Sequence, residues 1–161
     1  FEEADILRFS DEQFVKENRA ERIHEIVFTV IGDHIVALEV SYMKQNKETI
    51  VAEEHFFKDW TPVDPEALSE KVFRLGLYDD FLKISGTSTD DEVVNIQLIT
   101  DTGKALTLNP FFSSPTDFEV KNKTINAGMK LSYLSGAFIR QEGMIKLRNL
   151  TFVLRNTLED Y

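Results

Sequence analysis

Apolar and polar residues alternate with a period of two along much of this chain, which is typical of strands that bury one face and expose the other. In residues 26–31 the apolar residues Ile26, Phe28 and Val30 lie on one face, and after Gly32 and Asp33 the alternation resumes over residues 36–42. A two-residue link with glycine in its first position favours a type II′ turn. These features predict a β-hairpin.

The same period predicts a second hairpin and a closing strand. Residues 93–100 and 105–108 flank turn residues 101–103, and residues 147–154 form the last alternating run. Shorter candidate strands cover residues 6–9, 48–51, 71–75, 81–85, 118–120 and 130–140, the last interrupted at Gly136. About a dozen short strands separated by turns predict an all-β fold, whether sandwich, barrel or prism.

The register of these strands fixes which face is buried, because a shift of one residue turns every side chain over. The expected buried set is Phe28, Val36, Leu38, Val40, Ile96, Leu98, Leu150 and Phe152.

Two segments favour helix over strand. The residues from Ser10 to Gln13 match a capping box and predict a short helix after Ser10. Asp64 and Pro65 predict at most one helical turn, which gives way to a strand by Val72.

Composition and charge limit the class of protein. A chain of 161 residues suits one domain over residues 1–161, with a core at 6–155 and a tail at 156–161. Lys and Arg number 18 against 28 Asp and Glu, and the resulting charge of −10 argues against nucleic acid or an anionic membrane surface as partner. No apolar run approaches the ~20 residues of a membrane span.

The chain contains no cysteine, which slightly favours a reducing compartment such as the cytoplasm and leaves secretion open. Because it begins at Phe1 rather than Met, we expect a processed chain or a piece of a longer one.

Common enzyme signatures are absent from the sequence. It has no G-x-S-x-G, P-loop, H-E-x-x-H, G-x-G-x-x-G or C-x-x-C motif, so we expect neither catalysis nor a cofactor. His24, His34 and His55 do not lie at metal-ligand spacing, and the acidic runs 79–80 and 90–92 lack the calcium-loop pattern. We expect ordinary strand or loop histidines and solvated acidic turns rather than metal sites.

Four segments carry patterns in a characteristic order. Residues 22–42 resemble I-x-x-I-x-V-x-x-G-D-x-I-x-x-I-x-V-x-Y, and residues 73–87 resemble F-x-L … E-Y-I-x-x-V-S-G. Residues 94–104 resemble I-x-S-L-x-F-x-T-N-x-G-K, and residues 134–153 resemble I-V-G-F-x-G-x-x-G-x-x-L-D-x-I-G-V-Y. Taken in order, these segments resemble the jacalin-like lectin domain over residues 6–155.

This resemblance implies a β-prism of three antiparallel four-stranded sheets, with carbohydrate held by loops at one end. Family members that bind sugar use glycines near the N-terminus and a C-terminal G-x-x-x-D loop, whose aspartate accepts from sugar hydroxyls. Gly143 matches the loop glycine, but Arg148 stands where the aspartate is expected. A guanidinium only donates hydrogen bonds, so the resemblance implies a weakened or lost monosaccharide site.

A second loop also departs from the family pattern. Where members often carry H-G-G, this chain has His55, Phe56 and Phe57, followed by Trp60. These aromatics can stack on a sugar, anchor a protein partner, or simply cap the end of the prism. The candidate carbohydrate- or partner-binding residues are Gly143, Met144, Ile145, Lys146, Arg148, His55, Phe56, Phe57 and Trp60.

Three functions stay open at this point. The first is a non-catalytic carbohydrate-binding module, and the second is a protein-interaction or scaffold domain of a larger assembly, whose acidic face meets a basic partner. The third is a hydrolase with paired carboxylates, which is least favoured because any acidic chain supplies such pairs by chance.

Overall fold

The fold is built almost entirely from antiparallel strands. The computed structural model describes residues 5–77, 79–88, 92–108, 118–121 and 129–156. The strands are β1 (Asp5–Ser10), β2 (Ala20–Ile31), β3 (His34–Lys44), β4 (Thr49–Val51), β5 (Leu68–Arg74), β6 (Phe81–Ser88), β7 (Val93–Thr100), β8 (Ala105–Thr107), β9 (Phe118–Lys121), β10 (Met129–Gln141) and β11 (Met144–Asn156). A helix, α1 (Glu12–Asn18), and one 3₁₀ turn (Pro65–Ala67) complete the described elements.

The strands form three antiparallel sheets, as predicted. Their orders are β1-β10-β11, β4-β3-β2-β5 and β8-β7-β6-β9. The first sheet has three strands within the described residues and the other two have four each. Their inner faces meet in one apolar core, in which the largest fully buried side chains include Phe28, Tyr42, Phe81 and Phe138.

Both predicted hairpins are confirmed. β2 and β3 are joined through Gly32 and Asp33, and Gly32 has a φ of 57°, the left-handed value that glycine adopts at no steric cost. β7 and β8 pair across the predicted turn at residues 101–103. Every weaker strand candidate also overlaps a strand.

The predicted burial is confirmed for six of the eight named residues, and the other two are only partly buried. The residues Phe28, Val36, Leu38, Val40, Ile96 and Leu98 are all buried. Leu150 and Phe152 point toward the core but are only partly buried, because β11 is the outer strand of its sheet among the described residues.

Two sequence-based details are wrong. Ile35, expected on the opposite face from Val36, is fully buried, because a bulge opposite Thr29 and Val30 shifts the register. Strand β10 is also not interrupted at Gly136. A Cβ at Gly136 would lie 2.4 Å from the Asn149 carbonyl oxygen, so glycine there permits close approach of β11.

Helix α1 follows Ser10, as predicted, but without the expected capping box. Asp11 is the N-cap residue and its side chain makes no capping hydrogen bond. The Ser10 hydroxyl instead accepts from the Glu12 amide at 3.2 Å. The Asp11 carboxylate is therefore available for other partners. The 3₁₀ turn after Asp64 passes directly into β5 at Leu68, so the chain is a strand by Val72, as expected.

No helix within the described residues is long and apolar enough to cross a membrane.

Candidate binding site at the Gly143 hairpin

Three turns meet at one end of the sheets and enclose a groove of about 260 Å³. They are the β2–β3 turn, the β10–β11 turn and the 3₁₀ turn that precedes β5. In the β10–β11 turn, Glu142 and Gly143 have φ values of 55° and 77°. Consecutive left-handed residues are the geometry of a tight hairpin, so the turn presents Gly143 at the groove's edge.

Apolar side chains form most of the groove wall. Trp60 packs partly against the core and also lines the groove, as do Met144 and Ile145. Val63 is fully exposed and Met144 is 46% exposed. Exposed apolar side chains gathered in a concavity are typical of a surface that binds a ligand or partner.

Two polar side chains reach the groove, and neither is among the binding residues predicted from the sequence. Asp64 caps the 3₁₀ turn, where its Oδ1 accepts from the Glu66 amide at 3.1 Å. His34 lines the groove, and its Nδ1 pairs with Oε2 of Glu92, a side chain only 8% exposed. A signal for Asp64 existed in the Asp-Pro dipeptide, but it indicated a helix cap rather than a groove residue.

His55 lies outside this groove, in a buried polar network. Its Nε2 is 2.7 Å from Oδ1 of Asp11, whose Oδ2 accepts from the Tyr42 hydroxyl at 2.5 Å. The ring stacks on Phe9, with centroids 4.5 Å apart. Burial, followed by the adjacent Asp11 charge, raises the pKa of Tyr42. The network ties the segment after β4 to α1 and β3.

Phe57 is also part of the protein interior. It is 9% exposed, and the Arg140 guanidinium lies 4.7 Å from its ring centroid. Arg140 donates to Asp59 at 2.8 Å and to Asp5 at 2.7 Å, so it fixes this segment to β10 and β1. Phe56 is half-buried.

Comparison with known proteins identifies the architecture. No protein-family model matches the sequence, and no curated protein matches it either. Among solved structures, a prostate-specific WGA16 glycoprotein lectin matches with a TM-score of 0.63 and 14% identity over 96% of this chain and 93% of that chain. The chain has the jacalin-like lectin fold.

Two further matches show the same jacalin-like architecture. Jacalin in complex with mellibiose matches with a TM-score of 0.59 and 16% identity, over 91% of this chain and 97% of that chain. Artocarpin in complex with mannotriose matches with a TM-score of 0.61 and 11% identity, over 96% of this chain and 99% of that chain.

Within this jacalin-like fold, the nine candidate residues separate into groups. Trp60, Gly143, Met144 and Ile145 line one groove, although Ile145 is almost completely buried. His55 and Phe57 belong to the anchoring contacts described above, beside the half-buried Phe56. Lys146 and Arg148 follow on β11 and do not line the groove. Arg148 lies instead in a different recess on the same sheet.

The acidic run at residues 79–80 is not a fully solvated turn. Asp79 is 5% exposed and accepts from the Gly76 amide (2.7 Å), the Thr102 hydroxyl (2.5 Å) and Lys104 Nζ (2.7 Å). The hydrogen bonds from Lys104 and then Thr102 lower the pKa of Asp79 to about 2. Residues 90 and 91 lie outside the described part of the chain. Among the described residues, no three His, Asp or Glu side chains are grouped as metal ligands.

Proposed function

We propose that this chain is a non-catalytic binding module of jacalin-like fold, whose ligand site is the groove between Trp60 and the Gly143 hairpin. The observation that carries the proposal is the convergence of Trp60, Met144 and Gly143, which are distant in sequence, on one concave surface. An indole, a flexible thioether and a backbone turn are groups that bind ligands without chemistry of their own.

Because the groove is mostly apolar, we expect free monosaccharides to bind it only weakly. A small sugar site needs several acceptors and donors for hydroxyl groups, whereas most of this wall is apolar. Asp64 supplies a carboxylate, but one of its oxygens already caps the 3₁₀ turn. Each missing charge-assisted hydrogen bond removes about 1.5–3 kcal/mol from a shallow site.

A protein segment is the second candidate ligand, favoured by the combination of apolar wall and acidic rim. Asp33, Asp64 and Glu66 lie in the turns around the groove, and Glu142 adjoins Gly143. Together with the chain's charge of −10, these carboxylates suit a segment that presents an apolar side chain between lysines or arginines.

The charge distribution of the groove favours binding over hydrolysis. Hydrolysis of a glycoside by paired carboxylates needs two such groups flanking one bond, about 5–9 Å apart. Within the described residues, Asp64 contributes the single carboxylate that lines the groove.

Titration calorimetry with free mannose and galactose tests the first part of this proposal. We expect no binding tighter than about millimolar for either sugar. Binding tighter than that, abolished by Gly143→Ala and retained by Gly103→Ala, would show an intact monosaccharide site and contradict the proposal. Gly103 is a suitable control because it also has a positive φ and open space where a methyl group would be added, but it lies in the β7–β8 turn.

A short peptide with one leucine between two lysines tests the second candidate. Trp60→Ala should weaken its association by about 2 kcal/mol, as expected of an anchor at an interface. If the Trp60→Ala variant and the unmodified protein bound the peptide equally well, Trp60 would not be part of the recognition surface.

A further inference from the structure

A second recess, of about 340 Å³, lies on the sheet formed by β1, β10 and β11. Small residues of the central strand, Ser135 and Ala137, line it between the two outer strands. Arg8 of β1 and Asn149 of β11 stand opposite Ala137 on either side. Because residues directly opposite one another in antiparallel strands share a face, long side chains on both sides of a small one leave a hollow between them.

A β-bulge brings a second arginine to this recess. Asn149 pairs with Ala137 and Leu147 pairs with Phe138, so Arg148 is the extra residue on β11. Bulges break the regular alternation and redirect a side chain. Arg148 therefore lines the same recess as Arg8, although the two residues come from strands that do not pair with each other.

The two guanidinium groups are exposed and lack ion-pair partners within the described part of the chain. Two other arginines of this acidic protein are ion-paired: Arg74 contacts Glu25 at 2.7 Å, and Arg140 contacts both Asp5 and Asp59. Two like charges that share one recess repel each other, and a bound anion would relieve that repulsion. A guanidinium presents its donors in a planar fork that matches a carboxylate, sulfate or phosphate group.

We propose that this recess binds an oxyanion carried by a small hydroxylated molecule, such as an acidic, sulfated or phosphorylated sugar. Arg8 and Arg148 would hold the oxyanion, while Ser135, Asn149 and Thr151 supply hydroxyl and amide groups for the ligand's own hydroxyls. The recess is separate from the Trp60 groove, because Ala137 and the hairpin residue Gln141 are four residues apart on β10, or about 13 Å.

The experiment measures binding of glucuronate, galactose 6-sulfate and glucose 6-phosphate by titration, with neutral glucose as the uncharged reference. The variants are Arg8→Gln and Arg148→Gln, and the matched control is Lys71→Gln, which removes an exposed cation without an ion-pair partner in the described chain, on another sheet. We expect at least one anionic sugar to bind, and each arginine variant to weaken it by about tenfold, with the control unchanged. The affinity should also fall as salt concentration rises.

Three results would overturn the proposal: no saturable binding of any anionic sugar, binding of glucose as tight as that of the anions, or equal losses in all three variants. Which anionic sugar binds most tightly identifies the oxyanion. Fluorescence of Trp60, the single tryptophan of the chain, separates this site from the groove. Binding in the recess should leave that fluorescence unchanged, so the outcome does not depend on the proposed function.

Discussion

Two parts of the segment between β4 and β5 have contrasting environments. Its first part, around His55 and Phe57, is held by a buried carboxylate and by Arg140. Its second part, around Trp60 and Asp64, faces the groove and has few fixed partners. Aromatic residues that are close in sequence therefore need not share a role. Fixed partners distinguish them: Asp11 holds His55 and Arg140 holds Phe57, whereas Trp60 lines the groove.

The largest effect should come from removing this anchor. Asp11→Ala leaves the Tyr42 hydroxyl and the His55 ring without their shared partner inside the protein. We expect the free energy of unfolding, measured by urea denaturation, to fall by about 3 kcal/mol. Glu12→Ala is the control, since the Glu12 side chain is 47% exposed and pairs with Lys16 at the surface, and it should leave stability nearly unchanged. Similar losses for the two variants would show that Asp11 anchors nothing.

Replacing Asp79, another buried carboxylate, should reduce stability by a smaller amount, and this loss should depend on pH. Its pKa of about 2 lies below the usual value of ~3.9, so its charge stabilises the folded state above pH ~4, and this contribution is lost as pH falls toward 2. Asp79→Asn should therefore cost about 2 kcal/mol at neutral pH. The difference from the unmodified protein should shrink between pH ~4 and ~2. A difference that stays constant over this range would show that the charge is not responsible.

Trp60→Ala should lower the free energy of unfolding by about 1.5 kcal/mol, less than Asp11→Ala or Asp79→Asn, because only part of the indole packs against the core. Thermal and urea denaturation measure this loss. A cost equal to that of Asp11→Ala would make Trp60 a core residue, and the contrast between the two parts of the segment would fail.

Gly143→Ala should have the smallest effect on stability, about 1 kcal/mol. Its only penalty is that alanine must adopt the positive φ of Gly143, which a side chain disfavours. A Cβ at Gly143 would meet no atom within 4 Å, and the same holds at Gly103. The two alanine variants should lose equal stability in urea denaturation. A larger loss at Gly143 would indicate packing at the groove that the backbone strain does not explain.

Much of the fold could be predicted from the sequence, because a period of two reports directly on one buried face. The hairpin at Gly32 and the burial of Phe28 and Leu38 follow from that pattern. Ile35 could not be predicted, since its burial depends on a bulge opposite Thr29 and Val30 that no local pattern specifies.

The candidate site could be predicted only in part. The resemblance pointed to Gly143 and Trp60, which meet in one groove. Asp64 was missed because its contact with the groove depends on how the 3₁₀ turn packs, which no local spacing specifies. The position of Arg148 was equally hidden, since a single bulge in β11 moves it into a different recess.

The most direct test of the groove as a ligand site uses Trp60 fluorescence, because the chain has one tryptophan and it lines that groove. The protein is titrated with the lysine-leucine-lysine peptide and, separately, with mannose and galactose. We expect a saturable change in Trp60 emission with the peptide, lost in Met144→Lys, and no saturable change with either sugar below about millimolar. Saturation by a free sugar in that range, with no response to the peptide, would contradict the proposed role of the groove.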